Sequence, residues 1–375
     1  MLIIFYHPTL GFGGTERRFV GIAREWERKG VKFHVLEPKP GLYPHSYHVP
    51  VPIRATSPSA SMVRGMLFTT ISTIMGLRIL NCNLVLACNN DIFNVLPALI
   101  ISRLMRKPCA IIIHHYDIID GEKLVIDLLG IYRLARKTGY GPFYSSLKAL
   151  AIKVAIIIAK SCKVNICVSK AFSRIFPNSQ LSSNAVELGE IDSASGRGKE
   201  YDACFVGRLD PRKGVKDLLS SWRMIVDRMP KAKLALVGED SLGVMELVRS
   251  YGLDGNVIYL GTLSDKKMYE VIKSSRVFVT LSTSEGWGIV IAEALACGVP
   301  VVCYSIVTLY ENWEECPYVT FARPYDIKDA VEKLLKVMNE PTPDPNKIRS
   351  YVDNLDWEGV AARDLEILRR ATNKG

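Results

Sequence analysis

The chain lacks most of the features that would mark a membrane span, a secretory route or a metal centre. It has no run of about eighteen uncharged apolar residues, so no transmembrane helix is expected. Its first residues, Met1 to Tyr6, carry no basic flank and no cleavage site, and read as a strand rather than a signal peptide. The nine cysteines are odd in number, scattered and set mostly in apolar runs, with no Cys-x-x-Cys pair. That usage argues for buried thiols in a reducing cytoplasm and against a metal site. Acidic residues are missing altogether from 128–186, a stretch that holds nine Lys and Arg. No internal repeat is visible beyond two similar halves.

What is present is a globular composition, 48% apolar and 23% charged, over 375 residues. That length exceeds one ordinary core, so two domains are expected. The charge is uneven: residues 1–186 hold 23 Lys+Arg against 9 Asp+Glu, and the remainder 25 against 29. The halves therefore carry +14 and −4, which implies an anionic partner for the first. A membrane surface, a phosphate-bearing acceptor and nucleic acid all qualify, beside the blander reading of a basic surface with no specific partner. A nucleic-acid site wants aromatics interleaved with cations; these basic segments are mostly aliphatic, so a lipid-phosphate acceptor fits better and nucleic acid is not expected.

The stretch around which the chain is organised is 282–300. An apolar, β-branched strand at 277–281 leads into a polar turn with Glu285, Gly286, Trp287 and Gly288. A helix follows over 289–297, rich in Ala and Leu, and Gly298 and Pro300 stop it. A strand, a turn and a helix N-terminus make the local geometry in which an anion is met. Glu285 and Glu293 are eight apart, roughly 80° apart around a helix, and so on one side of it. The bland reading makes Glu285 a cap and Glu293 a solvent-facing charge. The glycines favour a ligand, because small residues let backbone approach it closely.

A second motif is Gly207, Arg208, Asp210, Pro211, Lys213 and Gly214. Arg208 ends a strand at 203–206 and Lys213 is expected at the start of a helix running to about Arg228, so both cations converge on a phosphate. Near the N-terminus a strand at 2–6, a turn with Gly11, Gly13, Gly14 and Glu16, a helix over 16–29 and a strand at 32–36 form a β-α-β unit. Its glycine spacing is not the dinucleotide fingerprint. A strand at 107–113 ends at His114 and His115, and ligands bind at such strand ends in a doubly wound sheet. Helices are read at 59–80 and at 91–101 with Pro97, and two apolar-basic segments between 128 and 175. A polar linker is read at 190–199, a stiff Pro-rich linker at 341–345, and a terminal helix over 357–370.

Glu285, Gly286, Trp287, Gly288, Glu293, Gly298 and Pro300 resemble the donor-site signature of retaining, GT-B-fold glycosyltransferases of the large group 1 (family 4-type) set, which usually has Phe where Trp287 stands. The motif at 207–214 and the Gly13, Gly14, Glu16 loop are similar to further parts of that pattern. The resemblance implies two doubly wound parallel-sheet α/β domains facing a cleft: 1–183 on the acceptor side, 184–352 binding the sugar nucleotide, and 353–375 as a helix returning to the first domain. Asn184 and Val186 match the family's entry to the second domain; its usual glycine is Ala185 here, so no positive φ is expected there.

The resemblance further implies hexose transfer from a nucleotide-diphosphate sugar to an acceptor hydroxyl, with retention, no cofactor and no metal. The acceptor would be a lipid-linked or membrane-proximal glycan, at the cytoplasmic face of a membrane. Arg208 and Lys213 would neutralise the leaving diphosphate. Glu285 and the 286–288 backbone would bind sugar hydroxyls and Glu293 the ribose. Gly13 and Gly14 would face the donor. A histidine at the end of the 107–113 strand would meet the sugar: His114 matches in spacing, with His115 as the neighbouring candidate. Two other readings stand beside this one, a non-catalytic sugar-nucleotide-binding protein of the same fold and a transferase acting on a soluble acceptor.

Overall fold

A computed structural model describes residues 1–6, 13–38, 46–51, 58–79, 82–196 and 198–373. The expected turn at 7–12, with Gly11, lies outside the described residues. Two compact units result. Unit 1 comprises 1–118, 125–184 and 357–375, and unit 2 comprises 119–124 and 185–356.

In chain order the strands are β1 (Leu2–Ile4), β2 (His34–Glu37), β3 (Ser46–His48), β4 (Val85–Ala87), β5 (Cys109–Ile113), β6 (Ile119–Asp120), β7 (Lys123–Leu124), β8 (Val164–Cys167) and β9 (Ser179–Leu181). They continue with β10 (Tyr201–Val206), β11 (Leu234–Val237), β12 (Val257–Tyr259), β13 (Ser275–Thr280), β14 (Val301–Tyr304) and β15 (Val319–Ala322). Unit 1 has a seven-stranded sheet in the order β3-β2-β1-β4-β5-β8-β9, and unit 2 a six-stranded sheet in the order β12-β11-β10-β13-β14-β15. Every neighbouring pair in both sheets is parallel. The inner strands are uninterrupted apolar runs because helices cover both faces of a parallel sheet: β5 is Cys109, Ala110 and three isoleucines, all buried.

Both sheets change winding direction once. In unit 1 the chain moves outward from β1 through β2 to β3, then restarts at β4 on the other side of β1. In unit 2 it moves from β10 to β12, then restarts at β13 beside β10. At such a switch point the loops leaving two adjacent strands diverge, and a crevice opens at the strands' carboxyl ends. The 207–214 motif leaves β10 and the 281–288 motif leaves β13, so both lie at unit 2's switch point.

Within unit 1 the helix Trp357–Asn373 packs on the helix Gly14–Arg28. Their contact needs a glycine, since a Cβ on Gly21 would sit 2.3 Å from the Trp357 ring. The Trp26 indole donates to the Ala361 carbonyl at 2.9 Å. Arg18, fully buried, meets Asp364 at 2.7 Å, and Asp364 also accepts from the Ser182 hydroxyl at 2.5 Å.

Several expectations are corrected. The polar linker read at 190–199 begins inside a helix, Leu188–Ser193, with Ile191 buried. The Lys273 ammonium fastens it, donating to the carbonyls of Ile191 (2.6 Å) and Ala194 (2.8 Å). Pro345, read as linker, opens the short helix Pro345–Arg349. Lys213 does not start the long helix: it ends a 3-10 turn, Pro211–Lys213, and the helix is Val215–Arg228. The helix Pro142–Ser161 is long and apolar enough to cross a membrane despite its lysines, against the expectation of none. In the fold it packs on the helices Leu128–Lys137 and Ile92–Leu104. The helix read to residue 80 is Pro58–Gly76. Among the described residues no residue near 185 takes a positive φ.

Candidate active site

Unit 2's two motif loops are fastened to each other. The Arg212 carbonyl accepts from the Thr283 amide (2.9 Å) and from the hydroxyls of Ser282 (3.1 Å) and Thr283 (3.2 Å). Gly214 makes this approach feasible: its φ is +69°, and a Cβ there would lie 1.9 Å from the Leu281 carbonyl oxygen. Asp210 organises the first loop. Its Oδ1 accepts from the amides of Arg212 (2.9 Å) and Lys213 (3.2 Å), capping the 3-10 turn. Its Oδ2 stands 3.8 Å from the Arg208 guanidinium and 3.9 Å from that of Arg212.

Lys213 reaches across to the second loop, its ammonium 2.6 Å from Glu285 Oε1. The two residues are 72 apart in sequence and meet because β10 and β13 are neighbours. Arg208 stays 53% exposed just after β10. The Glu285 carbonyl accepts from the Thr308 hydroxyl at 2.7 Å, which fixes the turn's backbone. Gly286 is half-buried in the same turn, beside Trp287. Trp287 is buried: its ring lies 4.8 Å from that of Trp313 at 61°, and its carbonyl accepts from the Trp313 indole at 2.8 Å. Gly288, at φ +88°, precedes the helix Ile289–Ala296. Glu293 faces inward rather than to solvent. It is 3% exposed, and its Oε1 accepts from the Tyr269 hydroxyl at 3.2 Å.

Unit 1 has its own arrangement at the carboxyl ends of β4 and β5. The Asn90 side-chain oxygen accepts from the amides of His114 (2.8 Å) and His115 (3.3 Å), and its nitrogen donates to the His115 carbonyl (2.8 Å). His114 is buried, with Nε2 3.0 Å from the Cys88 carbonyl. A carbonyl there only accepts, so Nε2 carries the proton and Nδ1 is an acceptor. Burial, then the field of Arg18, pushes His114 down to about 3, so it is neutral near pH 7. His115 is engaged differently: its Nε2 is 3.0 Å from Asp117, which also holds Lys148 at 2.6 Å. Gly13 and Gly14 are exposed at the start of the helix Gly14–Arg28, and the Gly13 amide donates to Glu16 at 3.0 Å.

Arg208, Lys213, Glu285, Gly286, Trp287 and Gly288 thus stand at one strand edge of unit 2, and Glu293 lies below them in the same helix–turn. Gly13, Gly14 and His114 belong to unit 1. Sequence reasoning passed over Asn90, Thr308, Trp313 and Tyr269. The Asp210–Pro211 pair did carry a readable signal, an N-cap followed by proline at the first helical position. Among the described residues, no cluster of three or more His, Cys, Asp or Glu is placed to hold a metal ion.

Known proteins resemble this chain in sequence and in fold. Residues 190–354 match the family described as glycosyl transferases group 1. The O-antigen chain mannosyltransferase B of Escherichia coli is 33% identical over 143 residues, 37% of this chain and 37% of its own length. The D-inositol 3-phosphate glycosyltransferase of Rhodococcus erythropolis is 28% identical over 184 residues, 46% of this chain and 42% of its own length. The chain thus spans less than half the length of either relative. Solved structures align over far more: Anabaena HepE in complex with UDP and glucose covers 99% of this chain and 100% of its own at a TM-score of 0.72 and 17% identity. WaaG, a glycosyltransferase involved in lipopolysaccharide biosynthesis, covers 98% and 99% at 0.71 and 15%. Residues 190–354 therefore resemble the glycosyl transferases group 1 family, and the chain has the two-sheet α/β fold of the GT-B glycosyltransferases.

Proposed function

We propose that the protein transfers a hexose from a nucleoside-diphosphate sugar to an acceptor hydroxyl, with retention of anomeric configuration. The observation that carries this reading is the gathering of Arg208, Lys213 and Glu285 at the β10/β13 switch point, with the Lys213–Glu285 contact at 2.6 Å. HepE, whose fold this chain shares, is described in complex with UDP and glucose, which supports a nucleotide sugar as donor.

In this proposal the donor's diphosphate lies between Arg208, Lys213 and the N-terminus of the helix Ile289–Ala296. As the bond from the anomeric carbon to phosphate breaks, negative charge grows on the β-phosphate. Two cations and a helix terminus fixed in advance stabilise that charge without having to reorganise. The acceptor oxygen bonds to the anomeric carbon from the face that the diphosphate leaves, and its proton passes to a phosphate oxygen. Glu285 and the 286–288 backbone hold sugar hydroxyls. Glu293 takes the ribose hydroxyls, with Tyr269 orienting its carboxylate. In unit 1, Nδ1 of neutral His114 accepts from a substrate hydroxyl, and Gly13 and Gly14 present amides. The scheme uses no metal. The acceptor is proposed to be a lipid-linked or membrane-proximal glycan on the cytoplasmic side, where the nine free, buried cysteines remain reduced.

A screen of nucleotide sugars with the purified protein tests the donor half of this reading. One nucleotide sugar should release free sugar and nucleoside diphosphate at a rate unchanged by EDTA. Turnover of none, or turnover abolished by EDTA and restored by a divalent cation, would defeat it. Proton NMR of the first glycoside formed tests retention.

A further inference from the structure

Among the described residues, unit 1 carries an exposed apolar stripe on its surface. The helix Pro142–Ser161 buries Ala149, Ala155, Ile156, Ile158 and Ala159 on one side. On the other, Phe143, Leu150 and Ile157 are 78%, 52% and 57% exposed. These three are spaced by seven. At about 100° per residue they drift only about 20° per step, so they form one row along the helix. Lys153 and Lys160 recur at the same spacing about 60° to one side of that row, and half-buried Leu147 and Val154 about 40° to the other.

The helix packed beside it, Leu128–Lys137, extends the pattern. Leu129, Arg133 and Arg136 are exposed at i, i+4 and i+7, and Leu128 and Ile126 are exposed at its start. Lys153 joins the two segments by donating to the Ile126 carbonyl at 2.8 Å. The carboxylate of exposed Asp127, at the start of the helix Leu128–Lys137, is used in capping the Gly130 amide at 2.7 Å. From 128 to 186 there is no other acid, against nine Lys and Arg.

We infer that this two-helix face is a docking surface for an anionic lipid bilayer. A row of large apolar side chains flanked by lysines and arginines is the chemistry of a helix lying in the headgroup region, apolar residues down and cationic tips reaching back to phosphate. Charge complementarity selects the occupant: an acid-free, cation-rimmed apolar strip is matched by a surface of negative headgroups over acyl chains. The helix lies on the bilayer rather than across it, since its other side is packed in the core of unit 1. The binding rests on nothing at the donor site. Its meaning, that the acceptor is met at the membrane, rests on the transferase reading above.

Sedimentation of the full chain with vesicles tests the inference. Binding to vesicles containing phosphatidylglycerol is expected at low salt, with at least tenfold weaker binding to pure phosphatidylcholine and release by concentrated salt. Each cation near an anionic surface contributes roughly fivefold, so the pair Lys153→Glu and Lys160→Glu should weaken binding more than tenfold. The triple change Phe143→Ser, Leu150→Ser, Ile157→Ser should weaken it comparably while leaving the melting temperature and donor hydrolysis in vesicle-free buffer unchanged. No binding to anionic vesicles, binding insensitive to both sets of changes, or binding that survives concentrated salt and alkaline extraction would overturn it. So would a self-associated state, seen by sedimentation velocity, that the triple variant disperses without any lipid binding. Donor hydrolysis without vesicles fails only if the transferase reading fails, so the two outcomes separate.

Discussion

The two switch points follow one topological plan and present opposite chemistry. Unit 2's edge presents charge: Lys213 against Glu285, and Asp210 between the guanidinium groups of half-exposed Arg208 and Arg212. Unit 1's edge presents a neutral, buried histidine held by backbone carbonyl and asparagine contacts. A parallel sheet supplies the crevice and the loops supply the chemistry. In the proposed reaction the charged edge takes the diphosphate, whose charge changes, and the neutral edge a hydroxyl that has only to be oriented.

The contrast breaks first at Arg208. If unit 2 is the edge that meets developing charge, Arg208→Ala should lower kcat/KM by roughly a hundredfold or more, about 3 kcal/mol of barrier, with an unchanged melting temperature. A folded variant with normal turnover would remove the role. Next in size is Gly214→Ala, which forces a side chain onto the Leu281 carbonyl at a positive φ. It should cost more than about 2 kcal/mol in denaturant unfolding and weaken donor binding with it, because the two loops separate.

His114 sharpens the other side of the comparison through pH. Its folded value is about 3 and its ordinary value 6.5, so the folded state binds fewer protons than the unfolded state between them. Stability from this group is full above the ordinary value and is lost as pH falls through that window, on the order of 4 kcal/mol by its lower end. His114→Gln should flatten the loss of melting temperature on acidification from neutral pH, whereas a parallel slope in both proteins would refute a neutral buried histidine. The smallest effect is expected of Trp287→Phe, which trims an edge-to-face pair and should cost about 1 kcal/mol, with turnover within roughly threefold.

The sequence was legible where burial on both sides of a sheet leaves an unbroken apolar run, as in β5 and β11, and where charge interrupts such runs at their ends. Arg208, Lys213 and Glu285 could be found that way. What stayed hidden depended on distance along the chain or on very short elements. The Lys213–Glu285 contact exists only because β10 and β13 lie side by side. β3 is a three-residue polar edge strand with no alternation to read, and the β6–β7 hairpin has two-residue strands. The helix Leu188–Ser193 buries one apolar side chain, Ile191, and owes its place to Lys273, about 80 residues on. The neutrality of His114 comes from its surroundings, which local composition does not report.

The Arg18–Asp364 pair joins residues 346 apart in a single core. On a ribosome, residue 18 emerges long before residue 364, and until the last helix is made Arg18 has no carboxylate to be buried with. An unpaired buried guanidinium costs about 3–5 kcal/mol, a large part of one domain's stability. The unit whose synthesis starts first is therefore completed only when the helix Trp357–Asn373 is made, and a chain cut short before Trp357 should be recognised by proteases as unfinished even with the whole of unit 2 intact.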